Sequence, residues 1–128
     1  MHQADGVERP ELEARSAAFA AAVFSLGNAV RAQPGGRHPA DQLVDAATSV
    51  GANYRATSRS RSHREFVAKI GVVAEEADEA VYWLELFVTT GLGDPSIVAM
   101  LLAEAKELRA IFAASYATSR RGKRSRDR

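Results

Sequence analysis

Between Phe66 and Phe87 the apolar residues fall at alternating four- and three-residue steps without a break: Phe66, Ile70, Val73, Ala77, Ala80, Leu84 and Phe87. A mean step of about 3.5 residues runs one apolar seam along one face of an α-helix, the repeat of helices that pack side by side. A strand would need a period of two. A single amphipathic helix draws most of its stability from tertiary packing, so this segment predicts further helices to cover its seam.

The rest of the chain supplies them. Leu12, Ser16, Phe19, Val23, Leu26 and Val30 recur at three- and four-residue steps after Pro10, a residue tolerated in a first helical turn, and the pattern stops at Pro34-Gly35-Gly36. A second helix is predicted from about Pro39, with Leu43, Ala46 or Ala47, Val50 and Tyr54 inward, and it gives way to the polar corner Thr57 to Arg61. Ser62 with Glu65 three residues later is a capping box that opens the third helix. Gly91-Leu92-Gly93 closes it, Asp94 caps the fourth and Pro95 begins it. Val98, Leu101, Ala105, Leu108, Phe112 and Ser115 carry the seam to about Ser119. Short connections make sequence neighbours antiparallel, so the fold class expected is all-α, an antiparallel up-down-up-down four-helix bundle. The organisation read from the pattern is a polar N-terminal tail over 1–9, the bundle over 10–119 and a basic C-terminal tail over 120–128.

At 128 residues this is one domain with one core. No run approaches the apolar length of a membrane span, and the stretch from Met1 to Glu13 is polar and acidic where a signal peptide would be basic and then apolar. The expectation is a cytoplasmic protein that does not enter a membrane. There is no cysteine, so disulfides and thiolate metal sites are excluded.

The last turns of helix 3 carry more apolar surface than one bundle can use. Val81-Tyr82-Trp83-Leu84 and Leu86-Phe87-Val88 are apolar or aromatic nearly all the way round, whereas a bundle core accepts one stripe. Self-association is the economical cover, with Tyr82, Trp83 and Leu86 as candidate interface residues.

Catalytic chemistry finds no foothold. Glu75, Glu76, Asp78 and Glu79 cluster on helix 3, but bundle di-metal sites also draw Glu-x-x-His pairs from two helices, and the histidines are His2, His38 and His63, none in such a pair. Ser62 beside His63 lacks the geometry of an activated nucleophile if its hydroxyl caps a helix, and Gly35-Gly36 precedes no Lys-Ser or Lys-Thr. No enzymatic activity, metal or cofactor is expected.

Arg55, Arg59, Arg61 and Arg64 gather around the junction of helices 2 and 3, where a helix N-terminus also favours anions. They are candidate nucleic-acid contacts of the phosphate-binding kind, with little sequence preference, and Tyr54 could add a stacking face. The competing expectation is that these arginines pair with acids of helices 3 and 4. A formal charge of +1 hides an asymmetry: residues 120–128 hold six Lys or Arg against one Asp, a local +5, which leaves −4 for the other 119 residues.

The runs Thr48-Ser49-Val50-Gly51-Ala52-Asn53-Tyr54-Arg55, Ser62-His63-Arg64-Glu65-Phe66 with Lys69-Ile70, and Glu75-Glu76-Ala77-Asp78-Glu79 into Tyr82-Trp83-Leu84-Glu85-Leu86 resemble the bacterial four-helix-bundle family encoded in intervening sequences of 23S ribosomal RNA genes. A relative of that family is the accessory variability determinant of diversity-generating retroelements. The resemblance spans about residues 11 to 120. It implies an antiparallel bundle, commonly a ring-shaped homopentamer without known enzymatic activity. For the retroelement relatives it implies binding of nucleic acid and reverse transcriptase through basic surfaces, whereas the body of this chain is net acidic. The functional expectation is a non-enzymatic homo-oligomeric scaffold that interacts with protein partners, or alternatively a nucleic-acid-binding accessory protein using the helix 2 to helix 3 junction.

Overall fold

The computed structural model describes residues 8–127, with side chains through 122. Its order is α1 (Arg9–Arg31), α2 (Arg37–Ala56), one 3-10 turn (Thr57–Arg59), α3 (His63–Thr90) and α4 (Pro95–Asp127). Each helix packs on its neighbour in sequence, and α1 closes against α4 through the loosest seam, while α1 and α3 stand diagonally apart. This is an up-down four-helix bundle.

The seams read from spacing line the core. Every stripe residue of the first, second and fourth helices is buried, and on α3 only Phe66 is half-buried. Tyr54, Phe87, Phe112, Leu43, Ile70 and Leu108 are among the largest side chains fully withdrawn from solvent. Small residues set the helix spacing: a Cβ on Gly27 would lie 2.6 Å from Val44 Cγ2, so α1 and α2 approach there more closely than alanine allows. A Cβ on Gly36 would run into the Val30 carbonyl oxygen, which ties the α1–α2 turn to glycine.

Helix ends follow the local chemistry. The Ser62 hydroxyl accepts the Glu65 N–H at 3.0 Å, the first half of the capping box. The second half is diverted, since the Glu65 carboxylate takes the N–H of Arg61 at 3.4 Å in place of that of Ser62. At the other end of α3, Gly91 adopts φ 74° and Leu92 N–H reaches Phe87 O at 3.0 Å, satisfying a carbonyl the helix leaves open. Asp94 Oδ1 accepts from the N–H groups of Ser96 and Ile97 at 2.9 and 3.4 Å and so caps α4.

Contacts remote in sequence close both poles. Arg9 donates to Tyr54 O at 3.1 Å and to Thr57 Oγ1 at 2.7 Å, covering the open end of α2 from the first residue of α1. Gln33 Oε1 accepts the Gly93 N–H at 2.7 Å and joins the two turns of the opposite pole. Arg9 is thus helical where a tail over 1–9 was expected, and residues 1–7 lie outside the described residues. α4 also runs through Asp127, well past Ser119. Nothing between Ser119 and Asp127 breaks a helix except Gly122, and one glycine costs only about 1 kcal/mol.

Candidate functional site

The four junction arginines come together at one pole of the bundle, where α2 ends and α3 begins, and all four are exposed. Arg59 sits on the 3-10 turn, so it does not continue the α2 face of Arg55 as a further α-helical turn would. Arg61 pairs with Glu65 at 3.3 Å. Among the described residues Arg55, Arg59 and Arg64 have no carboxylate within ion-pair distance. The acids that hold the bundle use other arginines: Arg15 bridges α1 to Glu104 and Glu107 of α4 at 2.7 and 3.1 Å, Arg31 reaches Asp41 at 2.7 Å, and Arg109 reaches Asp78 at 3.1 Å. The pairing expected of the junction arginines therefore holds for Arg61 alone.

Tyr54 does not stack on anything from solvent. It is 0% exposed, with its ring 5.1 Å from that of Phe112 and the Arg9 guanidinium 4.7 Å above it. Its position on the inward stripe of α2 decides this, so Tyr54 offers no stacking face to a base, contrary to the expectation from sequence. Aromatics that do lie near the pole are half-buried Phe66, stacked on His63 at 6.5 Å, and half-buried Tyr116 of α4, with the Arg120 guanidinium 5.4 Å from its ring centroid.

The opposite half of the molecule carries exposed apolar side chains. Among the described residues the exposed large hydrophobics are Phe24, Val72, Tyr82, Val88, Ile97 and Met100. All but Val72 lie in the half built from the end of α1, the start of α2, the end of α3 and the start of α4. Tyr82 is 57% exposed on the solvent side of α3, with Leu86 half-buried one turn on. Trp83 is divided: it packs against the core and its ring meets His38 edge-on at 5.8 Å, so only part of it remains for a partner. Met100, 63% exposed, lines a separate groove of about 440 Å³ between α1 and α4, floored by Ala18, Phe19, Ala22 and Leu101.

No group of three or more His, Asp or Glu among the described residues is placed to hold a metal ion. Glu76 of the acidic cluster on α3 is partly buried. Burial pushes its pKa up, the Ser49 hydroxyl opposes this, and a hydrogen bond with Glu79 and the charges of Glu79 and Glu75 push it up further. A carboxyl harder to ionise in the folded state than its usual value of 4.5 makes the fold most stable when protonated, and that stability falls as pH rises through the window above 4.5. Glu76→Gln is expected to melt higher than wild type at about pH 7, with the difference closing at about pH 4, by calorimetry at both pH values.

Comparison with known proteins decides the family. The family model described as 23S rRNA-intervening sequence protein matches residues 11–114, most of the chain. The chain belongs to the 23S rRNA-intervening sequence protein family. A crystal structure of a protein with unknown function from the S23 ribosomal protein family of Bacteroides thetaiotaomicron superposes with a TM-score of 0.74 at 24% identity, covering 79% of this chain and 94% of that one, and shows the shared fold. No curated protein matches the chain.

In this member of the 23S rRNA-intervening sequence protein family the junction arginines and Tyr82 fall inside the matched region, while Arg120 and Arg121 lie beyond it. The groove around Met100 was missed in the sequence because Met100 sits on the flank of the α4 seam, and a flanking residue reveals its exposure only once α1 is seen to lie against α4 loosely. No helix among the described residues is long and apolar enough to cross a membrane.

Proposed function

We propose that this protein is a non-enzymatic homo-oligomeric scaffold, a cyclic pentamer, that offers its arginine pole to a partner. The observation that carries the reading is the distribution of surfaces: most exposed large apolar side chains occupy one half, and Arg55, Arg59 and Arg64, without carboxylate partners among the described residues, sit at the other pole. Tyr82 on α3 and Met100 in the α1–α4 groove lie on different faces, and two unlike apolar faces suit a head-to-tail contact that closes into a ring. The resemblance to ring-forming relatives supports the subunit number. Along α3, Arg64 and Tyr82 are 18 residues apart, about 27 Å of helix, so a contact centred on Tyr82 leaves the arginines free. The partner in this reading is a protein.

A specific observation also favours nucleic acid. Arg55, Arg59 and Arg64 keep their charge exposed, without carboxylate partners among the described residues, and a ring would repeat the cluster so that weak phosphate contacts reinforce one another. Binding is expected to be insensitive to sequence and to weaken steeply with salt, with a log–log slope of about −0.9 per phosphate neutralised on duplex DNA. Arg59→Ala with Arg61→Ala should flatten that slope with the mass in light scattering unchanged. A double variant that dissociates would make the arginines interface residues. Absence of wild-type binding to DNA or RNA at low salt would leave a protein as the partner.

A further inference from the structure

The C-terminal turns of α4 are brought beside the junction arginines. His63, the first residue of α3, places Nε2 2.9 Å from the Ser119 carbonyl oxygen, and a Cβ on Gly122 would lie 4.0 Å from that same ring nitrogen. α4 thus runs past the start of α3 at van der Waals distance, with Ser119 buried at the contact. Tyr116 seats this segment one turn earlier, its Cε1 2.9 Å from where Gly71 of α3 would carry a side chain, so a larger residue at Gly71 would lift α4 away.

Arg120 and Arg121, immediately after Ser119, are exposed, as is Arg64 one residue after His63. The contacts of both are to neutral groups: Arg120 Nη1 to Tyr116 Oη at 3.5 Å and Arg121 Nη2 to Thr118 Oγ1 at 3.3 Å. Neither has a carboxylate within ion-pair distance among the described residues. The chain then adds Lys123, Arg124 and Arg126 to the same helix. Cations near a helix C-terminus offset its dipole, and one or two serve that purpose. Five within seven residues exceed it.

We infer that the end of α4 and the α2–α3 junction form one phosphate-binding surface, with Arg120 and Arg121 contacting the same nucleic-acid backbone as Arg55, Arg59 and Arg64. The inference rests on the nucleic-acid reading above and extends it to a second wall on another helix. Phosphates recur along a strand at a spacing that neighbouring exposed arginines can follow, and contacts of this kind bind without reading bases. His63 is a positioning residue, tying the two walls together through Ser119.

The test uses the full chain and a short fluorescent RNA, single-stranded and duplex, titrated by anisotropy across a salt series. Arg120→Gln with Arg121→Gln keeps a polar side chain of comparable helix propensity and removes both charges. It should lower the magnitude of the log–log slope by about 1.4 to 1.8 per engaged protomer, with melting temperature and mass unchanged, and Arg120→Lys with Arg121→Lys should restore the slope. An unchanged slope, alongside a slope that Arg59→Ala with Arg61→Ala does reduce, would overturn the second wall and leave the junction site standing. No RNA binding by wild type, with binding to vesicles rich in anionic lipid, would overturn both.

Discussion

Tyr82→Glu is expected to convert the proposed oligomer to monomers of 13.8 kDa while leaving each monomer folded. Tyr82 presents most of its ring to solvent within one bundle and touches Trp83 only edge to face at 5.0 Å. Losing it costs the isolated bundle little, since exposed positions away from special contacts change stability by roughly 0.5 kcal/mol or less. At a subunit contact the same carboxylate would be buried without a partner. Glu79 and Glu85 flank it along α3, so its own helix offers no neighbouring positive charge. An unpaired buried charge costs about 3–5 kcal/mol, which weakens each contact by roughly 10² to 10⁴. Sedimentation or light scattering at micromolar concentration reads the mass, and circular dichroism reads the fold. Trp83 is the poorer probe, because a charge there would also disturb packing against His38 and the core.

Tyr54→Ala should cost about 3–5 kcal/mol of stability, the largest single-residue loss expected at the arginine pole. The side chain is fully buried, packs on Phe112 and lies beneath Arg9, whose guanidinium also covers the open carbonyl of the same residue. Removing the ring opens a cavity between α2 and α4 and takes away the surface on which Arg9 rests. Tyr54→Phe separates packing from polarity. The hydroxyl is buried with no hydrogen-bond partner among the described residues, so its removal should be neutral or slightly stabilising. Burial pushes the Tyr54 pKa up, partly opposed by Arg9 and aided by Glu13. Ionising this phenol therefore opposes folding, and wild type should lose stability as pH rises above 10 in a way that Tyr54→Phe does not. Chemical denaturation of the two variants measures all three outcomes. Stability untouched in Tyr54→Ala would contradict the packing described.

The seams were legible because each is local: Ile70, Val73, Ala77 and Ala80 announce their common face by spacing alone, and Ser62 and Asp94 announce helix starts by the residues that follow them. Pairings across helices were not. Nothing in the order of residues says that Arg15 takes Glu104, or that Arg9 caps α2 from 45 residues away. The absence of carboxylate partners for Arg55, Arg59 and Arg64 among the described residues is the complement of those pairings and is visible only with them. Tyr54 shows how a stripe outranks a neighbourhood: it is surrounded in sequence by polar residues near a basic corner, yet its place in the repeat with Leu43, Ala47 and Val50 turns it inward. The change of composition at Arg120 suggests a helix end, but charge by itself does not stop a helix and no proline follows, so α4 continues.

Light scattering of the wild-type protein at micromolar concentration, in enough salt to strip bound nucleic acid, bears most directly on the claim that uncovered apolar faces of this bundle are subunit contacts. The expected result is a single species of about five times 13.8 kDa, a mass that Tyr82→Glu reduces to one. A stable dimer would remove the pentamer and keep assembly. A wild-type mass of 13.8 kDa, unchanged as concentration rises, would contradict the account.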